Sequence, residues 1–334
     1  MKRILTKDIG KVIYEEAGEP SLEEGQALIK VKSVGLCNSD IAPYVGRRLD
    51  EMPLPFVMGH EFGGIIEQIK GKSSTFKEGD KVAVYPQLNC GTCYYCRNNA
   101  ERMCINQSMY GSPKKSGGLA EKVAVPLKNL VKMADSFDIR YAGIIEPATV
   151  ALHAVGGFCD ANVIVVGAGA IGAMMGMILK YNRCRFIAMD INELALKKAV
   201  QNGADLAVNV DDENKVGRIK DFLKESLVDA VVLAHLDKSN WEFALEIVKK
   251  EGTIIEIAET SKFEVDFLKV LFKGLTIKGS ACYNYDEFSN AASLVEKKII
   301  DPEKIVTKFF SFDKASEAFE FKANNFALKV IILN

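Results

Sequence analysis

The chain has 334 residues, 48% of them hydrophobic and 26% charged, which is enough for about two domains with separate cores. Its 43 Lys and Arg are balanced by 44 Asp and Glu, giving a net charge of −1 with both signs interspersed. That leaves no basic field for nucleic acid or an anionic membrane, so the expected partner is a small molecule. No run of about 18 apolar residues offers a bilayer span. The start, MKRILTKDIGKVIYEEAG, lacks the apolar centre of a signal peptide, so a soluble cytoplasmic protein is expected.

In chain order, the first part reads as β-rich. ALIKVKSVG, FGGIIEQIK, DKVAVYP and LAEKVAVP are short β-branched runs separated by Gly, Pro or charged turns. From about Ala161 the texture changes to alternating strands and helices. NVIVVGAGAIGAMMGMILKY is a strand, a glycine turn and an apolar helix. CRFIAMD, LVDAVVLAH, TIIEIAE and LTIKGS continue the strands, with NELALKKAVQNGA and SNWEFALEIVKKEG as intervening helices. This is the pattern of a parallel, doubly wound sheet. DEFSNAASLVEKK, IVTKFFS, KASEAFEFKA and ALKVIIL then predict helix, strand, helix and strand. The expected organisation is a β-rich domain at 1–150, an inserted α/β domain at 151–282, and a return to the first domain at 283–334.

Four of the eight cysteines, Cys90, Cys93, Cys96 and Cys104, fall within fifteen residues. Such clustering in a large cytosolic chain favours metal over disulfides. Four thiolates close a tetrahedral zinc shell and leave no open position, so this site is expected to be structural, tying down the polar loop CRNNAERMC. A second constellation is scattered: Cys37 in GLCNSD, His60 and Glu61 in MGHEF, and Glu146 in IIEPATVALHA. A thiolate, an imidazole and a carboxylate suit a catalytic zinc, which keeps about three protein ligands and one exchangeable position.

Gly167, Gly169 and Gly172 form G-A-G-A-I-G directly after the strand VIVV and open a helix, and Asp190 ends the next strand about 20 residues on. The glycines permit a tight turn, close approach of a pyrophosphate, and close helix packing. The helix start, with Ala170 and Ile171, offers amides and a positive dipole end to phosphates. Asp190 would accept the adenosine-ribose hydroxyls and repel a 2′-phosphate, so NAD is expected over NADP.

Taken together, GLCNSD, GHEF, GDKV, the four-cysteine lobe, GGLAE, IEPATVALHA, GAGAIG and LTIKGS resemble the zinc-containing medium-chain alcohol and polyol dehydrogenases, in family order and over essentially the whole chain. The resemblance implies an α/β protein with a GroES-like β-rich catalytic domain and a Rossmann domain. It implies two zinc ions per chain, one catalytic and one structural. Glu146-Pro147, where other members have Cys, looks like the sorbitol and galactitol-1-phosphate dehydrogenase branch. By the same resemblance Cys37 and His60 bind the catalytic zinc. Glu61 and Glu146 form an open pair: in relatives one binds zinc directly while the other binds through water or swaps in during turnover.

Asp40 should accept a hydrogen bond from the ring nitrogen of His60 not bound to metal; its plainer reading is a turn cap. Ser39 should pass the substrate proton toward solvent. The family often continues that relay with His where this chain has Ala42. The implied reaction oxidises a secondary hydroxyl of a polyol or polyol phosphate to a ketone, zinc acting as Lewis acid and NAD taking the hydride. The alternatives are 2,3-butanediol, L-threonine or another secondary alcohol, and, from a different class, a nucleotide-sensing protein without turnover. Tyr44, Phe56, Cys282 and Tyr283 are candidate pocket residues. Arg47 and Arg48 read as a solvated pair, His153 and Trp241 as packing, and His235 as a strand-end residue. A homodimer or homotetramer is expected, with the edge strand near LTIKGS able to pair across a two-fold axis.

Overall fold

The computed structural model describes residues 1–224, 226–258 and 262–334. The strands in chain order are β1 (Lys2–Asp8), β2 (Lys11–Glu16), β3 (Gln26–Leu36), β4 (Glu61–Lys70), β5 (Lys81–Val84), β6 (Gln87–Leu88), β7 (Ser108–Met109), β8 (Lys122–Pro126) and β9 (Leu130–Lys132). They continue with β10 (Asn162–Val166), β11 (Arg185–Asp190), β12 (Leu206–Asn209), β13 (Val228–Leu233), β14 (Val248–Glu256), β15 (Thr276–Gly279), β16 (Val306–Ser311) and β17 (Lys329–Leu333). The chain forms two compact units. One comprises 1–149, 283–298 and 302–334; the other comprises 150–282 and 299–301.

The first unit is built on a seven-stranded sheet in the order β16-β17-β3-β4-β5-β9, with β8 also paired to β3. β3 is long enough to hold three neighbours. Its first half pairs with β8 and its second half with β17, while β4 runs along the other edge with register shifts at Leu28/Ile29 and Val31/Ser33. Bulges of this kind turn a strand and re-aim the residues that follow it. Ile29, Val31, Val34, Phe62, Val82, Phe319, Val330 and their neighbours form the core under the sheet.

The second unit is a six-stranded parallel sheet in the order β12-β11-β10-β13-β14-β15. Counted within the unit this is 3-2-1-4-5-6, the doubly wound order. β10 is buried on both faces, Val163 to Val166 being at most 1% exposed, which is why its sequence is uninterrupted rather than alternating. The helix Ala170–Tyr181 is likewise apolar nearly all round, and Gly172 through Leu179 are buried. The helix in SNWEFALEIVKKEG is shorter than its sequence suggests: it spans Lys238–Ile247, and β14 begins at Val248. The β-branched Val248 and the register shift opposite Val228 and Ala230 mark the change. No described helix is long and apolar enough to cross a membrane.

Candidate active site and metal centres

Three elements of the first unit meet at one end of its sheet. β3 ends at Leu36, and Cys37 follows as the N-cap of a short helix, Asn38–Tyr44. The helix starts because Asp40 accepts from the Cys37 backbone N–H at 2.9 Å, the reciprocal half of a capping box. Asp40 also accepts from the Gly59 N–H at 3.3 Å. It is fully buried, so it bridges the Cys37 turn to the loop that delivers His60. His60 immediately precedes β4, and Glu61 is its first residue.

The donor atoms of Cys37, His60 and Glu61 all lie within 4.8 Å of one another. His60 and Glu61 are 6% and 1% exposed. Glu146, on the first turn of the helix Ile145–Val155, is buried beside this trio without belonging to it. Nδ1 of His60 stands 3.7 Å from Asp40 Oδ1, inside ion-pair range but longer than a hydrogen bond. Asp40 thus caps the Cys37 turn and faces Nδ1 of His60 without a hydrogen bond to it.

The ionisable groups of this corner act strongly on one another, with His60 and the Lys329 ammonium as the positive partners of its carboxylates. Burial works against a charged His60, yet Asp40, Cys37 and Glu146 outweigh it and hold its pKa well above the usual value. Burial pushes the carboxyl groups of Asp40 and Glu146 up, against the pull of His60. Several anionic groups crowded out of water cannot all stay ionised without positive charge among them. A soft thiolate, an imidazole and hard carboxylates together fit zinc.

Two more buried side chains touch the corner. Lys329, first residue of β17, donates to both oxygens of Glu61 at 2.7 Å. The Tyr283 hydroxyl donates to Glu146 Oε1 at 2.5 Å. Sequence reasoning missed Lys329; its only signal was one charge at the head of the otherwise apolar ALKVIIL. Tyr283 was foreseen as a pocket residue, not as a partner of Glu146. Ser39 is half-buried beside Cys37, and Ala42 is buried. Phe56 is buried and Tyr44 half-buried against the core. Arg47 is exposed, and Arg48 pairs with Glu51 at 2.5 Å.

The four-cysteine lobe lies between the two strands of the β6–β7 ribbon. Cys90, Cys93, Cys96 and Cys104 also bring their sulfurs within 4.8 Å of one another. Cys104 Sγ is 3.5 Å from Cys90 Sγ, and Cys104 accepts from the Cys90 N–H at 3.3 Å. Bonds from the Thr92 backbone and hydroxyl, with the Cys93 backbone, lower the Cys90 thiol to about 5. Burial, then the neighbouring sulfurs, push Cys96 up to about 12. Ionising all four requires a metal among them. These two clusters are the candidate metal centres among the described residues.

In the second unit, Gly167 has φ +107°, a conformation an L side chain resists, and a Cβ at Gly172 would run into the Gly167 carbonyl. Gly169 caps the helix that starts with Ala170 and Ile171. Asp190 accepts from Ala168 N at 2.7 Å and Asn192 N at 2.8 Å, one on each oxygen. Its carboxylate thus braces the glycine turn and keeps lone pairs for a ligand. His235 is exposed at the end of β13, half-buried His153 lies on the helix Ile145–Val155, and Trp241 is in the core of its unit.

Residues 23–135 match the alcohol dehydrogenase GroES-like domain family, and residues 170–297 match the zinc-binding dehydrogenase family. An L-threonine 3-dehydrogenase from Shewanella baltica is 30% identical over 330 residues, covering 95% of this chain and 94% of that one. The chain belongs to the zinc-binding alcohol dehydrogenase family. Among solved structures, an Escherichia coli alcohol dehydrogenase complexed with NADH superposes on this family member with TM-score 0.91 at 29% identity, covering 100% of this chain and 99% of the other. Galactitol-1-phosphate dehydrogenase from Escherichia coli gives TM-score 0.91 at 26% identity, covering both chains fully. This dehydrogenase is therefore an oxidoreductase acting on a small-molecule alcohol, and zinc and a nicotinamide dinucleotide are its cofactors.

Proposed function

We propose that the enzyme oxidises a secondary hydroxyl of a polyol or polyol phosphate to a ketone, with NAD as hydride acceptor. The observation that carries this reading is the trio of half-buried Cys37 with buried His60 and Glu61, with donor atoms within 4.8 Å of one another, beside a second buried carboxylate, Glu146. The first unit carries the metal chemistry and the second the dinucleotide. Zinc, when bound, supplies a Lewis acid that lowers the pKa of the substrate hydroxyl, and NAD accepts the hydride. Cys37 and His60 hold the metal. Asp40 fixes the Cys37 turn and faces Nδ1 of His60. Ser39, half-buried at the start of the helix, takes the hydroxyl proton toward solvent through water, since Ala42 offers no further relay. Asp190 favours NAD over NADP, because a 2′-phosphate would meet its carboxylate. The four cysteines hold a structural zinc.

The polyol class draws on the likeness to galactitol-1-phosphate dehydrogenase and on Glu146-Pro147. A second reading, oxidation of the L-threonine hydroxyl, draws on the 30% identity to the Shewanella baltica enzyme. NAD reduction measured across sugar alcohols, polyol phosphates, 2,3-butanediol and L-threonine separates them. The polyol reading expects the highest kcat/KM on a polyol or its phosphate. A clear preference for L-threonine overturns the substrate class and leaves the metal chemistry standing.

The same reading includes a homodimer. β15 is the last strand of its sheet, with no strand on its outer side among the described residues. Beside it, the helix Phe267–Lys273 exposes Phe267, Leu268, Leu271 and Phe272 at 63–76%. An open edge with an adjoining apolar face fits a second copy of itself across a two-fold axis. Light scattering should give twice the chain mass, and Leu271→Asp with Phe272→Asp should give monomer. A monomeric wild type contradicts it.

A further inference from the structure

A run of side chains within the first unit joins the four-cysteine lobe to Glu146. Gln107, three residues past Cys104, is set by the lobe, its backbone N–H donating to the Cys104 carbonyl at 3.2 Å. Its Nε2 donates to Gln87 Oε1 at 2.8 Å. The Tyr85 hydroxyl lies 3.1 Å from that same Gln87 oxygen and 3.0 Å from the Tyr283 carbonyl. The Tyr283 hydroxyl then donates to Glu146 Oε1. Tyr85, Gln87 and Tyr283 are each at most 3% exposed, so bulk water does not replace a missing partner. Buried Asn129 holds this segment from behind, donating to the Tyr85 and Gln87 carbonyls at 2.9 and 2.7 Å.

The Tyr85 hydroxyl is the junction, because it has one proton and two acceptors in reach at nearly equal distance. With Gln107 in place, the Gln87 oxygen already has a donor, and the Tyr85 proton goes to the Tyr283 carbonyl. Without Gln107, the Gln87 oxygen becomes a buried acceptor short of a donor and draws that proton away. The Tyr283 backbone then loses a tie, and the aim of its hydroxyl loosens. We infer that the four-cysteine lobe acts on the active site through this proton: Gln107, placed by the closed lobe, satisfies Gln87 and commits Tyr85 to Tyr283, which keeps its own hydroxyl on Glu146. Gln107, Gln87 and Tyr85 are positioning residues that act through Tyr283. The inference rests on the reading that places Glu146 at the active site.

The test uses the full-length, zinc-loaded enzyme labelled with fluorotyrosine, the Tyr283 fluorine signal being the one lost in Tyr283→Phe. Turnover is read on the alcohol that wild type prefers. Gln107→Leu should shift the Tyr283 signal and lower kcat roughly threefold, with KM for NAD unchanged. Tyr85→Phe, which keeps the ring packing, should do the same. Cys104→Ser, which opens the lobe, should shift the signal as Gln107→Leu does. Gln107→Leu combined with Gln87→Leu removes the competing acceptor, so it should restore the signal and bring kcat back to within about twofold of wild type. A merely structural contact would be damaged further by that second substitution. An unmoved Tyr283 signal or a wild-type kcat in Gln107→Leu overturns the inference, and so does a double variant no better than the single one. If Gln107→Leu does not fold, Tyr85→Phe decides: an unmoved signal or a wild-type kcat overturns it. Full turnover in Glu146→Gln overturns the reading beneath it, and the Tyr283 signal, read without turnover, keeps the two failures apart.

Discussion

Tyr283 and Glu146, 137 residues apart in sequence, share a buried hydrogen bond of 2.5 Å. The tyrosine ring is itself fixed, edge-on to Tyr85 at 5.9 Å and stacked on Phe288 at 6.3 Å, and Tyr85 donates to the Tyr283 carbonyl at 3.0 Å. The carboxylate on the first turn of a helix is thus aimed by a hydroxyl that the core holds still.

Tyr283→Phe keeps the ring packing and removes the donor. Stability should change by about 1 kcal/mol or less in urea unfolding, while kcat falls by about tenfold. Burial already raises the Glu146 pKa, and the Tyr283 bond opposes that rise. Without it the carboxyl takes up a proton more readily. Zinc should then leave the Cys37 site at a higher pH during acid titration than in wild type.

Gly35→Ala should be among the costliest small substitutions in the chain. The added Cβ meets Glu61 Oε2 and, at 2.6 Å, the Gly143 carbonyl. Neither neighbour has room to move, so a loss of about 1–3 kcal/mol is expected, read as a fall in Tm. Gly18→Ala, at a position with open space around it and no positive φ, calibrates the comparison.

Burial brings the Lys322 ammonium down to about 8, from an ordinary value of 10.5, although it donates to the Ala327 carbonyl at 2.9 Å. Between these values the unfolded chain holds a proton that the folded chain has lost, so the lysine makes stability rise with pH from about 8 to 10.5. Below pH 8 both states are protonated, and the full cost of burying the charge remains. Lys322→Met should stabilise the protein by about 1–3 kcal/mol at pH 7. Its advantage should shrink as pH approaches 10, in urea midpoints measured side by side.

Asp190→Asn should raise KM for NAD about tenfold and narrow the preference over NADP, by removing the negative charge beside the ribose. An Asn oxygen can still accept from Ala168 N or Asn192 N, so the glycine turn should persist and the far-UV spectrum should not change.

Features set by short-range spacing were legible in the sequence. The glycine turn follows a strand and precedes a helix, and the four cysteines lie within one loop, so local chemistry defines them. His60 and Glu61 are neighbours, and Cys37 is linked to them through Asp40, whose capping role is again local. Lys329 was not legible, because its meaning depends on β17 lying beside β3 and on Gly35 being bare. That is a fact of register, not of sequence neighbourhood. The helix Asn38–Tyr44 was hidden by its length and by Pro43 inside it. The division of labour between Glu61 and Glu146 stayed open for the same reason as Lys329, since their partners come from residues 329 and 283.

The most direct measurement is zinc per chain in wild type and in Cys37→Ser, with NAD binding followed alongside. Wild type should hold two zinc ions, and Cys37→Ser should hold one, bind NAD as before and show no turnover. Two zinc ions and normal turnover in Cys37→Ser would contradict the account.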